Sequence, residues 1–298
     1  MENTVNRRTF IKTACASALA ACATAENRGA KKPAAKFQDN VKKLVEWLAT
    51  NRERGEIGLI PDLPSGRTHG GAVRDDLKNL YWLQNCNLYA MHALRPFDPQ
   101  TAKRIEASYW KWQQTAFPDC EERTENYLPV GQLPKIVSPE GKYYRVVVKK
   151  KECEGFCIGT ETFDPDSLGD IKDNDPRGLL KFGALGARLR GEKKKAFEYF
   201  QKALALWDGC GFQHTRMEKH HSYYARYLAY ALIVERALHA KIPAETRGSI
   251  EARLWALQDA DGGIWTNYYA DGSLPDLAKK TSEIGPLTLL AYNDEIWP

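Results

Sequence analysis

The chain has little that is both long and apolar. Its N-terminal apolar stretch, Thr13 to Ala21, is built of small residues and falls far short of the roughly 20 that a membrane-spanning helix needs. Paired Cys-x-x-Cys spacing is absent and the histidines complete no zinc pattern, so no metal site is expected and no cofactor is assigned. Excess charge of one sign is missing from the body of the chain. The formal charge of +5 is accounted for by Arg7, Arg8, Lys12, Arg28, Lys31, Lys32 and Lys36 against Glu2 and Glu26, leaving residues 37–298 near neutrality. The basic pI is therefore no argument for nucleic-acid binding, and no nucleic-acid partner is expected. A hydrophobic fraction of 43% is ordinary, which excludes a disordered chain and a membrane bundle alike.

What is present begins at the N-terminus. Asn6-Arg7-Arg8-Thr9-Phe10-Ile11-Lys12 resembles a twin-arginine export motif, and Leu19-Ala20-Ala21-Cys22 resembles a bacterial lipobox. Together they predict a leader (1–22), lipidation of Cys22 as the membrane anchor, a tether (23–36), and one large domain (37–298) held in the cell envelope. Five of the seven cysteines, Cys86, Cys120, Cys153, Cys157 and Cys210, fall in that domain. An odd number leaves at least one thiol free, and Cys153 with Cys157 is the closest candidate pair.

From there the pattern is helical. Val41, Leu44, Val45 and Leu48 recur at helical spacing, and further helices are expected over about 75–94 and 101–115. Residues 117–174 interrupt this with two β-prone runs, Tyr143 to Lys149 and Phe156 to Thr160, read as a hairpin excursion or lid. Helices return over 178–190, 193–207, 223–240, 243–258 and 282–292. Asn85 and Asn87 cost propensity inside an otherwise apolar segment, so either their amides face a polar cavity, the preferred reading, or they bond across helices.

A weak repeat runs through the second half. Trp207-Asp208-Gly209-Cys210-Gly211-Phe212 follows one helix, and Gln258-Asp259-Ala260-Asp261-Gly262-Gly263-Ile264-Trp265 follows another. Each turn precedes an apolar helix, which is the mark of helix-hairpin units that stack into solenoids or closed toroids. With Leu254 to Gln258 before the second turn and Thr281-Ser282-Glu283 after it, the chain resembles the prenyltransferase and squalene-cyclase-like repeat of the α/α toroid superfamily. The resemblance covers residues 176–293 well and 38–116 only in helix-hairpin style. It implies an all-α, α/α toroid fold with a small β-rich insertion at about 117–174. The chemistry of that superfamily is not implied. An Asp-x-Asp-Asp acid motif and an Asp-Asp-x-x-Asp diphosphate motif are both absent, and Asp208-Gly209-Cys210 with His239 is a poor copy of the zinc site of protein prenyltransferases.

In such a fold the N-terminal ends of the inner helices and their loops surround the central cavity. Here those loops hold His69, His214, His220, His221, Tyr223, Tyr224, Trp265, Asn267, Tyr268 and Glu283. Related α/α barrels act on carbohydrates, and a uronate lyase needs a proton acceptor, a proton donor and a group that neutralises the carboxylate. His221, Tyr224 and His69 are candidates for the first two roles, with Arg226 or Asn267 near the carboxylate. A glycosidase instead needs two carboxylates, for which Glu283 with Asp75 or Asp76 are available. Asn85, Asn87, His220, Trp265, Asn267 and Tyr268 are candidate substrate-binding residues. The expected ligand is a polysaccharide, the rival expectation is a non-catalytic lipoprotein that binds a glycan, peptide or partner, and the second alternative is a terpenoid cyclase- or prenyltransferase-like enzyme.

Overall fold

The structure, a computed structural model, describes residues 35–54, 57–64, 68–71, 80–82, 85–118, 141–214 and 221–293. The chain divides into two units, Met1–Ala30 and Lys31–Pro298, and the first lies wholly outside the described residues. The leader, Cys22, Asp75, Asp76, Cys120 and His220 are therefore outside them too.

A 3-10 turn at Ala35–Phe37 leads into α1 (Gln38–Arg54), whose Val41, Leu44, Trp47 and Leu48 form a buried stripe on an otherwise polar helix. The expected second helix then departs from its pattern. Leu80–Trp82 is strand β1, paired in parallel with Cys157 to Gly159, and α2 (Asn85–Leu94) begins only at Asn85. Tyr and Trp suit a strand as well as a helix, so the available sheet edge decides what local propensity leaves open. α3 (Pro99–Ala116) starts where its chemistry says it should. Asp98 accepts a hydrogen bond from the Thr101 amide at 3.0 Å and Pro99 occupies the first turn.

β2 (Tyr143–Cys153) and β3 (Phe156–Gly169) form an antiparallel hairpin closed by Glu154 and Gly155, both at positive φ, and the sheet order is β1-β3-β2. The hairpin is not an excursion. Ile158, Thr160 and Thr162 are fully buried, Phe156 meets Trp112 edge-on at 6.0 Å, and Tyr143 stacks on Phe182 at 5.1 Å. Nor is it stapled by sulfur. Cys153 sits opposite Phe156 and Cys157 opposite Glu152, so the two side chains leave the sheet on opposite faces, and both thiols are free.

The chain continues as a π-helical segment (Gly178–Leu185) running into α4 (Gly186–Leu189), then α5 (Lys193–Leu204). A β-carbon at Gly183 would stand 2.7 Å from the Tyr199 ring, so only glycine lets α5 pack this closely on the π segment. β4 (Tyr223–Tyr224) precedes α6 (Ala225–Ala237), then come α7 (Ala244–Ala256), β5 (Asn267–Tyr268) and α8 (Ile284–Leu290), with β4 and β5 antiparallel.

Burial separates two sorts of helix. α2, the π segment, α6 and α8 are buried nearly all round, whereas α1, α3, α5 and α7 each keep an exposed face. The two sorts alternate along the chain. Among the buried helices, α2 packs on α8, α8 on α6, and α6 on the π segment, while α1 also reaches α8. The domain is thus mostly helical, with a three-stranded and a two-stranded sheet. Among the described residues no helix is long and apolar enough to cross a membrane.

The repeated turns of the sequence are both closed loops, bridged at Trp207 with Phe212 and at Gln258 with Ile264. In the first, the Asp208 carboxylate accepts from the amides of Cys210 and Gly211 and, at 2.6 Å, from the Tyr223 hydroxyl. In the second, Gln258 exchanges side-chain hydrogen bonds with Asn40 of α1, and Lys280 bridges Asp259 (2.8 Å) and Asp261 (2.6 Å). Gly262 has φ +97, and a β-carbon there would meet the Lys43 carbonyl oxygen at 2.4 Å.

Candidate functional site

Four buried helices and one strand bring charge to one place. The π segment is the starting point, because Gly178 to Leu185 is entirely buried and holds a single charged side chain, Lys181, at 1% exposure. Its start is fixed by Asp175, whose carboxylate accepts from the Arg177 amide at 3.0 Å and from the Tyr143 hydroxyl at 3.1 Å. That anchoring sets Arg177 and Lys181 one helical turn apart. α6 adds Arg226 in its first turn, held by the Ala225 amide donating to the Thr266 carbonyl at 2.9 Å. Glu283, just before α8, faces Arg226 with a closest approach of 3.5 Å. Tyr89 of α2 and Tyr230 of α6 place their rings 5.9 and 6.0 Å from the Lys181 ammonium, with Phe182 at 5.2 Å. Glu161 of β3 lies within the electrostatic reach of Arg177 and Lys181.

The charges do not cancel. Among the described residues no carboxylate comes within ion-pairing distance of Lys181 or Arg177. Lys181, Arg177 and Arg226 share the field of Glu161 and Glu283. Burial, then the Arg177 charge, lowers the Lys181 ammonium to about 7, far from its ordinary range. Burial alone would raise the Glu283 carboxyl, but Arg226, Arg177 and Lys181 outweigh it and hold it below the usual carboxylate range. Burial pushes the Tyr89 and Tyr230 hydroxyls up, so both stay protonated at neutral pH. The Nε of Arg226 and the hydroxyl of Thr281, two residues before Glu283, are buried without a hydrogen-bond partner among the described residues. The group is not sealed, since the Glu283 and Arg226 side chains keep 15% and 26% of their surface exposed.

Of the residues singled out in the sequence, the structure draws Tyr224, Arg226 and Glu283 together. The Arg226 guanidinium lies 5.1 Å from the centre of the Tyr224 ring, which also packs on buried His214 at 4.8 Å. His69 and Trp265 form a different set, edge to face at 5.3 Å, with Lys280 4.9 Å from the Trp265 ring. His221 is exposed, at φ +50. Asn267 sits opposite Tyr224 in the β4–β5 pair, half-buried, and Tyr268 is buried with its hydroxyl donating to the Cys210 carbonyl at 3.1 Å. Asn87 uses its amide in a two-way bond with the backbone of Ile60, at 2.9 and 3.1 Å, which ties a loop to α2. Asn85 opens α2, and its side chain lies outside the described residues.

Sequence reasoning missed Arg177, Lys181, Glu161, Tyr89 and Tyr230. One signal was available, a lone lysine inside the apolar run Gly178-Leu179-Leu180-Lys181-Phe182-Gly183-Ala184-Leu185. Helices with π-type bonding also recur at functional sites, but nothing in the sequence announces them. Among the described residues no three His, Cys, Asp or Glu side chains stand together to hold a metal ion. No protein-family model matches this chain, and no curated protein matches it.

Proposed function

We propose that this chain is an exported envelope lipoprotein, anchored through Cys22, whose helix-hairpin body is an α/α toroid carrying a polysaccharide lyase site for uronate-containing polymers. The toroid reading is supported by the alternation of exposed and buried helices and by the packing of α1 on α8, which brings the first and last described helices into contact. The lyase reading rests on one observation. Among the described residues Arg177 has no carboxylate within ion-pairing distance beside the Arg226–Glu283 pair, so the site has a guanidinium to spare for an anionic ligand.

A uronate fits that surplus. Elimination needs its carboxylate neutralised so that charge can build at C5, and two guanidiniums serve this well because their fork geometry matches a carboxylate. Hydrolysis fits less well. A glycosidase needs one protonated and one ionised carboxyl, and the cations around Glu283 suit it to the ionised role alone.

The test is purified protein on a panel of polygalacturonate, alginate, glycosaminoglycan and neutral polysaccharides, following both unsaturated-product absorbance and reducing ends. The lyase reading expects absorbance on a uronate polymer. Reducing ends without absorbance favour hydrolysis, and saturable binding without either favours a non-catalytic glycan-binding lipoprotein.

A further inference from the structure

We infer that the amine of Lys181 is the group that removes the C5 proton of a uronate seated against Arg177 and Arg226. This rests on the lyase reading and names the catalytic base within it. Three features of the geometry carry it. Lys181 is the only charged side chain in the buried Gly178–Leu185 segment, where an ammonium without a carboxylate partner is costly to keep. Its nitrogen lies 5.2–6.0 Å from the rings of Tyr89, Phe182 and Tyr230, which sets it in one cluster with the two phenols. The guanidinium one turn before it, Arg177, adds repulsion that favours deprotonation and offers a seat for the carboxylate next to the acidic C–H.

Other groups in the site are poorer bases. Glu283 is committed to Arg226 and held strongly ionised, hence weakly basic, and the phenols of Tyr89 and Tyr230 are held protonated by burial. The charged and titratable groups facing Lys181 are Arg177 at the start of its own segment, Glu161 from β3, Arg226 and Tyr230 from α6, Tyr89 from α2 and Glu283 before α8. Burial and Arg177 lower the ammonium most, while Glu161 and Glu283 pull it back up, and the balance lies at about 7.

The step balances without any redox partner. The Lys181 lone pair takes the C5 proton, the C5–H electrons become the C4=C5 double bond, and the C4–O bond breaks with its pair going to oxygen. The Tyr230 hydroxyl supplies the proton to that leaving oxygen, and the Lys181 ammonium afterwards returns a proton to the phenolate. The neutral phenol suits this donor role.

The experiment uses the full-length protein and its Lys181→Met and Lys181→Arg variants. The readouts are absorbance kinetics on the uronate polymer that the wild type cleaves, calorimetric binding of a trigalacturonate or trimannuronate probe, and far-ultraviolet circular dichroism. Both variants are expected to lose about a thousandfold or more in kcat while remaining folded, with Lys181→Arg still binding the probe. The wild type should show kcat/KM rising with pH to a plateau, with the inflection near 7. Activity in either variant within tenfold of wild type overturns the inference and leaves the lyase reading standing. If a variant fails to fold, the pH profile decides, and a rate flat between about pH 5.5 and 8.5 overturns the inference. Absence of product from the wild type on every polymer overturns the lyase reading and this inference together.

Discussion

The two glycine turns and the cluster around Lys181 are both rich in polar groups, yet they treat them in opposite ways. In the turns, the carboxylates are met by donors at hydrogen-bond distance. Asp208 takes two backbone amides and the Tyr223 hydroxyl, and Asp259 and Asp261 share Lys280. Around Lys181, by contrast, no carboxylate comes within ion-pairing distance of Lys181 or Arg177 among the described residues, and the Nε of Arg226 has no hydrogen-bond partner among them. Matched polar groups contribute to a unique fold, whereas an unmatched set lowers stability and is kept where a ligand completes it. The turns therefore belong to the architecture and the cluster to the chemistry.

That contrast can be broken most directly at Arg226. Replacing it by alanine removes a carboxylate contact and strands Glu283, so kcat/KM on the cleaved uronate polymer should fall by about a hundredfold. Steady-state kinetics on folded variant checks this, and a change below threefold would place the ligand elsewhere, by the convention that about 1.4 kcal/mol is tenfold. The turns should answer with stability alone. Gly262→Ala puts a β-carbon against the Lys43 carbonyl at positive φ and should cost about 2–4 kcal/mol in urea denaturation, with kcat of the folded fraction unchanged.

Lys181→Met sharpens the comparison in the other direction, because removing a buried, unmatched charge should stabilise the protein at neutral pH by about 4 °C in Tm. The sign follows from linkage. Burial depresses the Lys181 ammonium to about 7, so between pH 7 and its unfolded value the denatured chain binds the extra proton, and wild-type stability rises with pH across that window. The Met variant should lack this rise, as thermal scans from pH 6.5 to 9.5 would reveal. Asp208→Asn should have the smallest effect, about 1 kcal/mol, since the amide keeps the turn's shape but weakens the charge-assisted bonds to Tyr223 and two amides. Chemical denaturation resolves a change of this size.

Much of the frame was legible from residue spacing. The α1 stripe, the β2–β3 hairpin and the paired turns all follow from local rules: period and turn residues. β1 was not legible, because Tyr81 and Trp82 fit helix and strand alike and only the partner segment Cys157 to Gly159 distinguishes them. Asn87 carried a true signal, a polar residue in an apolar helix, but the two-way bond to Ile60 depends on a loop the pattern cannot place. The site was half visible. Glu283, Tyr224 and Arg226 stand out as polar residues at helix starts, whereas Lys181 shows only as a lone lysine in an apolar run, and Arg177 carries no mark until the segment that follows it is seen to be buried.

By itself, then, the sequence determined the helical period, the turns and the caps of this protein, since each depends on residues a few positions apart. Only the tertiary structure decided that Lys181, Arg177, Arg226, Glu161 and Glu283 share one low-dielectric space, because burial and mutual electrostatics are properties of packed elements and of no single segment.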